Sequence, residues 1–532
     1  MILKKKWFLV LIFSLILLTF LKIDFRFVNG IYCCSDDFDY YIHAETISED
    51  LDLNYSNQLK GIEDKRYYQN GKPAPIGYVG SGILAAPFMA LGNIFDYLRL
   101  RLFDSNNLMN YKLLIYSFSP IFYLLFSISL IFKSLNLLKI SFKDYHFLIL
   151  FLGSGASYYA FERFSMTHAY EIFATSLVLY FSTNYFVEDK NSSRYAFLIP
   201  VSILIGFTVR WTNYYLILLP LFIKLLLRTR KKLIYEKSFI LSSIFSFSTF
   251  LYLAYKIYGV ITIDPRTAYQ VNNSVANIIN VNVNENLVFT YIDRVANIFY
   301  TQEFGIIYFM PVLSFSVLLA ISYLFKNYFE SREVKYLEII YLLACFQVIF
   351  IVAMWRSTAS AYTFRYLLAL YPISIIYYFY IKDKYNFENL HKIILLLSGL
   401  SILSVLFFET TLETQLSLDR VYNSFGKYTR YTQPLYLTGF IKSIFVFDSY
   451  LKIFTTSFLG SIVFKVFLVV FGKSELTSIL EKLGLPVTNE DFVIYLEKLD
   501  AIGFDKFLVT LFICIFIVNY IIKLFSNKKS SF

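Results

Sequence analysis

Apolar runs close to the ~20 residues that a helix needs to cross a bilayer recur from one end of this sequence to the other. Backbone in hydrocarbon must satisfy its own hydrogen bonds, so runs of this kind are helices. The composition agrees: of 532 residues, 57% are hydrophobic and 16% charged, where a soluble domain carries roughly 25% charged residues. The expected fold is an all-α polytopic membrane protein with about 12 transmembrane helices (about 11 to 13). The spans are expected at 7–23, 110–132, 145–161, 168–187, 195–210, 212–227, 237–258, 304–325, 336–354, 366–381, 391–408 and 506–523. The stretch IGYVGSGILAAPFMALGNIFDYL, rich in Gly and Pro, is expected to lie at the membrane surface or re-enter it. Two runs at 440–454 and 456–472, broken by charges, are expected to be interfacial helices.

The formal charge of +11 does not indicate a nucleic-acid partner. Lys and Arg fall in short clusters between apolar runs, as the positive-inside rule requires, and membrane lipids are the expected surroundings. Lys4–Lys6 hold the N-terminus inside, and no small-x-small cleavage site follows the apolar core, so an uncleaved signal anchor is expected. A long first outer loop then spans 24–108 and a second spans 259–303, within a transmembrane region of 1–408; residues 409–532 form a C-terminal region with a last span. The adjacent Cys33 and Cys34 would make a strained bridge, and no disulfide framework is expected.

The first outer loop opens on CCSDDFDYYIHAETISEDLDLNYSNQ, a dense acidic patch in a basic chain. Tyr40, Tyr41, Ala44, Ile47 and Leu51 recur at helical spacing behind Asp36, Asp37 and Asp39, so a short amphipathic helix carries the acids on its first turn. Either those acids cap the helix, or they are reactive. Polar residues elsewhere gather near the outer ends of spans: Arg163, His168, Arg210, Arg266, Arg294, Glu303, Arg356 and Arg365. A secondary transporter more often places its charges at the midplane, on broken helices.

In chain order, SDDFDYY, SEDLDL, KPAPIGYVGSGILAAPF, SYYAFERFSMTHAYEIF, GFTVRWTNYYLILLP, FYTQEFGIIYFMP and WRSTASAYTFRYLLALYP resemble the motifs of the GT-C superfamily. These are polytopic glycosyltransferases that use polyprenyl-phosphate-linked sugars, here most similar to bacterial mannosyltransferases and aminoarabinose transferases. Asp37 stands where the family commonly has Glu, and Trp211 where it has Pro. The resemblance implies a GT-C-like fold and an inverting transfer, with Asp36 as the base on the acceptor hydroxyl. It implies that Asp37 orients the acceptor or holds a divalent metal, the sole cofactor expected.

A leaving phosphate needs cations, and Arg suits it through bidentate hydrogen bonds. Arg365 and Arg210 are the expected phosphate ligands, with Lys72 in GKPAP resembling the Lys-Pro-Pro of aminoarabinose transferases. Each has a plainer alternative: Arg365 snorkels to headgroups, Arg210 pairs with a structural acid, and Lys72 is a solvated loop lysine. His168, Glu303 and Tyr40 are candidate substrate contacts; the alternatives are a structural His, an exposed loop Glu and an interfacial aromatic. The expected partners are a polyprenyl-phosphate-linked sugar donor and a lipid, glycan or protein acceptor. The expected location is the cell inner (plasma) membrane, multi-pass, with the active site on the outer side. A transporter, flippase or polymerase of lipid-linked sugars remains the alternative.

Overall fold

The computed structural model describes residues 36–64, 67–103, 111–189, 191–263, 287–300, 305–331, 336–354, 363–385, 387–406 and 458–482, with a few single positions. The chain divides into two compact units, one of residues 32–89 and 123–405, the other of residues 1–31, 90–122 and 406–532. The first unit holds every site residue discussed below. Of the C-terminal region 409–532, the described part is essentially one helix, Phe458–Lys482, interrupted at Gly472. The expected spans at 7–23 and 506–523 and the run 440–454 lie outside the described residues.

The chain begins with α1 (Asp36–Glu49), a two-stranded hairpin of β1 (Tyr68–Gln69) and β2 (Lys72–Pro73), then α2 (Gly80–Phe103), α3 (Tyr111–Leu137) and α4 (Asp144–Leu152). It continues through α5 (His168–Val187), α6 (Ser192–Val209), α7 (Leu219–Leu227), α8 (Lys237–Tyr258), α9 (Leu287–Tyr300) and α10 (Ile306–Phe309). Then come α11 (Pro311–Ser331), α12 (Tyr336–Met354), α13 (Tyr371–Tyr385), α14 (Glu388–Leu406) and, in the C-terminal region, α15 (Phe458–Lys482).

Six described helices are long and apolar enough to cross a membrane: α2, α3, α6, α8, α12 and α14. The expected count of about 12 is not reached among the described residues, and the reason is local. Several expected spans are broken by their own prolines. Pro220, Pro311 and Pro372 stand at the first turn of α7, α11 and α13, where a proline is tolerated. Each of these helices is preceded by a short turn: 3-10 turns at Tyr214–Leu218 and Arg365–Leu370, and the single turn α10. The segment 145–161 is likewise not one span. It stops at Gly153, whose missing Cβ would lie 2.5 Å from Ser398 Cβ, and resumes as a π-helical turn at Tyr158–Glu162. The stretch expected to lie at the surface or re-enter the membrane is a continuous 24-residue helix, α2.

The side-chain pattern of α8 is that of a helix against lipid. Ser242, Ser246, Phe250 and Ala254 are buried at four-residue spacing, while Ile240, Leu241, Ile244, Phe245 and Phe247 are exposed. Small residues let helices approach closely in a bilayer, and large apolar ones cost nothing outward there. Ser242 Oγ seals the contact by donating to Phe197 O of α6 at 2.6 Å. Helix α5 is the reverse case, buried along nearly its whole length. It packs against α6, α7, α13 and the 365–370 turn.

The segment 36–79 folds down onto this unit. Helix α1 ends at Glu49, so Leu51, expected on its apolar face, is instead 87% exposed with a left-handed backbone. His43 anchors α1: its Nδ1 meets Tyr55 Oη and its Nε2 meets Gly77 O, each at 2.7 Å. Burial pushes that imidazole's pKa down to about 4. Gly82 permits the close crossing of α1 on α2, since a Cβ there would lie 2.3 Å from His43 Cβ and 2.9 Å from Ala44 N. Tyr78 Oη donates to Phe250 O, Tyr258 Oη to Gly77 O and Asn70 to Tyr258 O, tying the segment to α8. Cys33 is disulfide-bonded, contrary to the sequence expectation.

Candidate active site

The N-terminus of α1 carries Asp36 and Asp37, and each faces an arginine from far along the chain. Asp36 Oδ2 accepts from Arg365 Nη2 at 2.7 Å, across 329 residues of sequence. Asp37 accepts from Arg163 through Oδ2 and from Ser165 Oγ through Oδ1. These side chains therefore bind other segments, which a helix cap alone would not require. Charge-assisted contacts of this kind are about twice as strong as neutral ones.

The backbone at both arginines departs from regular helix. Arg163 directly follows the π-helical turn, its N–H donating to Tyr158 O at 2.9 Å. Such turns occur mostly at functional sites. Arg365 opens a 3-10 turn two residues after Thr363, a non-glycine residue held at φ +52°. That conformation is costly for a β-branched residue and persists only where surrounding packing enforces it.

Arg210 sits at the C-terminal end of α6 in extended backbone. Its Nε stands 2.8 Å from Glu171 Oε1, an ion pair that lacks the alignment of a hydrogen bond. The other oxygen of Glu171 meets His168 Nδ1 at 2.8 Å. Asn213 also donates to Glu171, at 3.4 Å, and to Gly206 O at 3.1 Å. His168, Glu171 and Thr175 follow one another along one face of α5 at spacings of three and four. Thr175 Oγ1 continues the polar column to Tyr215 Oη at 2.7 Å and to Ala369 O at 3.0 Å. A buried carboxylate is tolerated only when paired and hydrogen-bonded, and Glu171 is both.

Tyr366 joins the two halves. Its ring lies under both guanidinium groups, 4.4 Å from Arg210 Cζ and 5.0 Å from Arg365 Cζ. Its hydroxyl accepts from Arg365 Nη2 at 3.1 Å. Three acids thus stand against three arginines, one to one, and their formal charges cancel. Arg365 Nε and His168 Nε2 are buried at this site without a hydrogen-bond partner among the described residues.

Of the residues expected from the sequence, Asp36, Asp37, Arg365, Arg210 and His168 come together here. Arg365 is 11% exposed and paired, so it is not snorkelling. Arg210 takes the alternative expected for it, a structural acid. Tyr40 belongs to the same neighbourhood: burial raises its phenol pKa, and Arg210 opposes that rise. Its ring packs where a Cβ on Gly77 would come within 2.8 Å. Lys72 lies elsewhere in contact terms, its ammonium 5.8 Å from the Tyr255 ring and 3.6 Å from where a Cβ on Gly259 would sit. Glu303, Arg266 and Arg356 lie outside the described residues, and Arg294 is turned inward to donate to Ala353 O.

Glu171, Ser165 and Tyr366 escaped the sequence reading. A lone acid three residues after a histidine, within an apolar run, was the signal available for Glu171. A divalent cation does not fit the acidic pair as arranged. Each carboxylate already faces a guanidinium, and among the described residues no group of three or more His, Cys, Asp or Glu is placed for a metal.

No protein-family model matches the sequence, and no curated protein matches it. Among solved structures, the crystal structure of the Archaeoglobus fulgidus oligosaccharyltransferase in complex with zinc and sulfate is similar to 81% of this chain and 52% of that one. The identity is 13% and the TM-score 0.36. The chain spans about half the length of that enzyme (52%). At that TM-score the likeness carries no weight for function.

Proposed function

We propose that this protein is an inverting glycosyltransferase of the cell membrane. It moves a sugar from a polyprenyl-phosphate-linked donor to a hydroxyl acceptor at the outer face. One observation supports it above the others: the acid that the motif order marks as base and the arginine marked as phosphate ligand meet at 2.7 Å although they stand 329 positions apart in sequence. A carboxylate beside a fixed guanidinium suits a reaction that removes a proton and develops negative charge on a phosphate.

In this reaction the acceptor oxygen attacks the anomeric carbon from the face opposite the lipid phosphate. The acceptor O–H proton passes to Asp36 as the new O–C bond forms. The bond from the anomeric carbon to the phosphate oxygen breaks, and its electron pair stays on the phosphate. Arg365 holds the charge that results. Asp37, fixed by Arg163 and Ser165, sets the position of α1, and Arg210, held by Glu171, helps to fix the Tyr366 ring on which Arg365 also rests.

The test is transfer of radiolabel from polyprenyl-phosphate sugars to a membrane acceptor extract by the reconstituted protein. Asp36→Asn is expected to lower the rate about 10²- to 10⁴-fold. Equal transfer by wild type and Asp36→Asn would remove the base assignment. No transfer from any donor, with labelled lipid instead changing leaflet in liposomes, would replace the transferase with a transporter.

A further inference from the structure

We infer that donor phosphate and Asp36 compete for Arg365, so the donor binds first and its binding releases the base for the acceptor. The inference rests on the transferase reading above and adds the order of events at that site.

The charge balance requires such an exchange. Arg365, Arg163 and Arg210 are each matched by one carboxylate. Among the described residues, a phosphate that arrives here finds no cation in the cluster without a counter-charge, and a paired guanidinium changes partner to receive it. Exposure identifies which partner moves. Asp36 is 39% exposed and Arg365 11% exposed. Arg365 is fixed by the Tyr366 ring and hydroxyl, and Asp36 is the first residue of α1. The arginine stays and the carboxylate swings away.

Arg365 is also incompletely satisfied as it stands. Its Nη2 serves both Asp36 and Tyr366, its Nη1 reaches only the Met166 sulfur at 3.6 Å, and its buried Nε has no partner among the described residues. A buried donor without an acceptor is costly. A phosphate presents several oxygens to one guanidinium edge, and bidentate pairing is the preferred geometry. The exchange therefore gives Arg365 more acceptors and ends its contact with Asp36. Asp37 does not follow, because Arg163 and Ser165 hold it separately. The product is a phosphate monoester, which carries more charge than the donor diester, so it retains Arg365 more strongly and product release opposes turnover.

The first experiment measures binding of a polyprenyl monophosphate to the full chain in zwitterionic nanodiscs. Asp36→Asn removes the competitor and is expected to tighten binding about tenfold or more, although the same variant loses transfer. The gain is expected to vanish in the Arg365→Gln background, which separates a local exchange from a general loss of negative charge. Unchanged or weaker binding by Asp36→Asn overturns the proposal, as does a gain that persists without Arg365. Parallel titrations use inorganic phosphate and nanodiscs containing phosphatidylglycerol alone. A gain confined to phosphatidylglycerol places a membrane headgroup at Arg365 and overturns the donor assignment.

The second experiment needs no variant. In initial-rate kinetics of wild type, the polyprenyl monophosphate product is expected to compete with donor but not with acceptor. Saturable binding of the acceptor in the absence of donor overturns the order. If the exchange is seen in binding but the wild-type protein transfers sugar from no donor, the transferase reading fails and the exchange stands.

Discussion

Glu171 and Arg210 meet at 2.8 Å within the buried centre of the larger unit, and the same carboxylate holds His168. Removing one member of a buried pair strands the other charge. Glu171→Gln keeps one acceptor oxygen, turns the other position into a donor and leaves Arg210 uncompensated. The expected loss is about 3 kcal/mol, read by unfolding in detergent micelles. Adding Arg210→Gln is expected to recover part of that loss. Full additivity of the two substitutions would mean that the pair is not coupled.

Arg365→Lys keeps the charge and loses the planar fork. A lysine ammonium cannot offer a phosphate a bidentate edge while it also holds Tyr366. Initial rates of sugar transfer are expected to fall about 10²- to 10³-fold, with normal folding by size-exclusion chromatography. A variant with wild-type rates would show that the point charge alone suffices.

His43 makes the segment 36–79 acid-sensitive. Its folded pKa is about 4 against 6.5 for a free histidine, so below 6.5 the unfolded chain binds the proton more readily. Stability is thus fully present above the higher value and is lost as pH falls through the window towards the lower one. The expected loss is about 2 kcal/mol by about pH 5. His43→Gln is expected to flatten that dependence in unfolding curves collected from neutral to acid pH. Parallel curves for the two proteins would contradict it.

Gly82 and Gly80 are contact points rather than hinges. A Cβ at Gly82 meets α1 at His43 and Ala44, and one at Gly80 meets the Thr208–Val209 backbone at 2.3 to 2.5 Å. Backbone cannot move aside as a side chain does. Gly82→Ala is expected to cost about 1–3 kcal/mol and to lower transfer by shifting the helix that carries Asp36. Unaltered stability together with unaltered transfer would mean that α1 is free to move.

The sequence was most legible where hydrophobicity alone decides. The expected span 237–258 is α8 residue for residue, and 336–354 is α12. It was least legible where an apolar run conceals a break, because hydropathy averages over the proline or glycine that matters. The runs containing Pro220, Pro311, Pro372 and Gly153 all show this. Within the site, Asp36, Asp37 and Arg365 could be named from the order of the motifs, but not their pairing. Glu171 was invisible for a related reason: its burial depends on Arg210 and His168, which come from the end of another helix and from the start of its own. Helix α1 looked amphipathic by spacing, yet His43 and Thr46 are buried as fully as Ala44. Their burial follows from partners at Tyr55 and Gly77 and from packing on α2, none of which a helical wheel contains.

The distance in sequence between Asp36 and Arg365 has a consequence for how the protein is made. During synthesis the acid pair is made early, ahead of the arginines it meets. Arg163 and Ser165 follow and secure Asp37, while Asp36 waits for a segment 329 residues downstream. Neutralisation of the first helix is therefore among the late events of membrane insertion, completed when the turn before α13 docks. A nascent chain halted between α8 and that turn carries the whole acidic motif and no Arg365, so the acidic motif and a working site mature at different times.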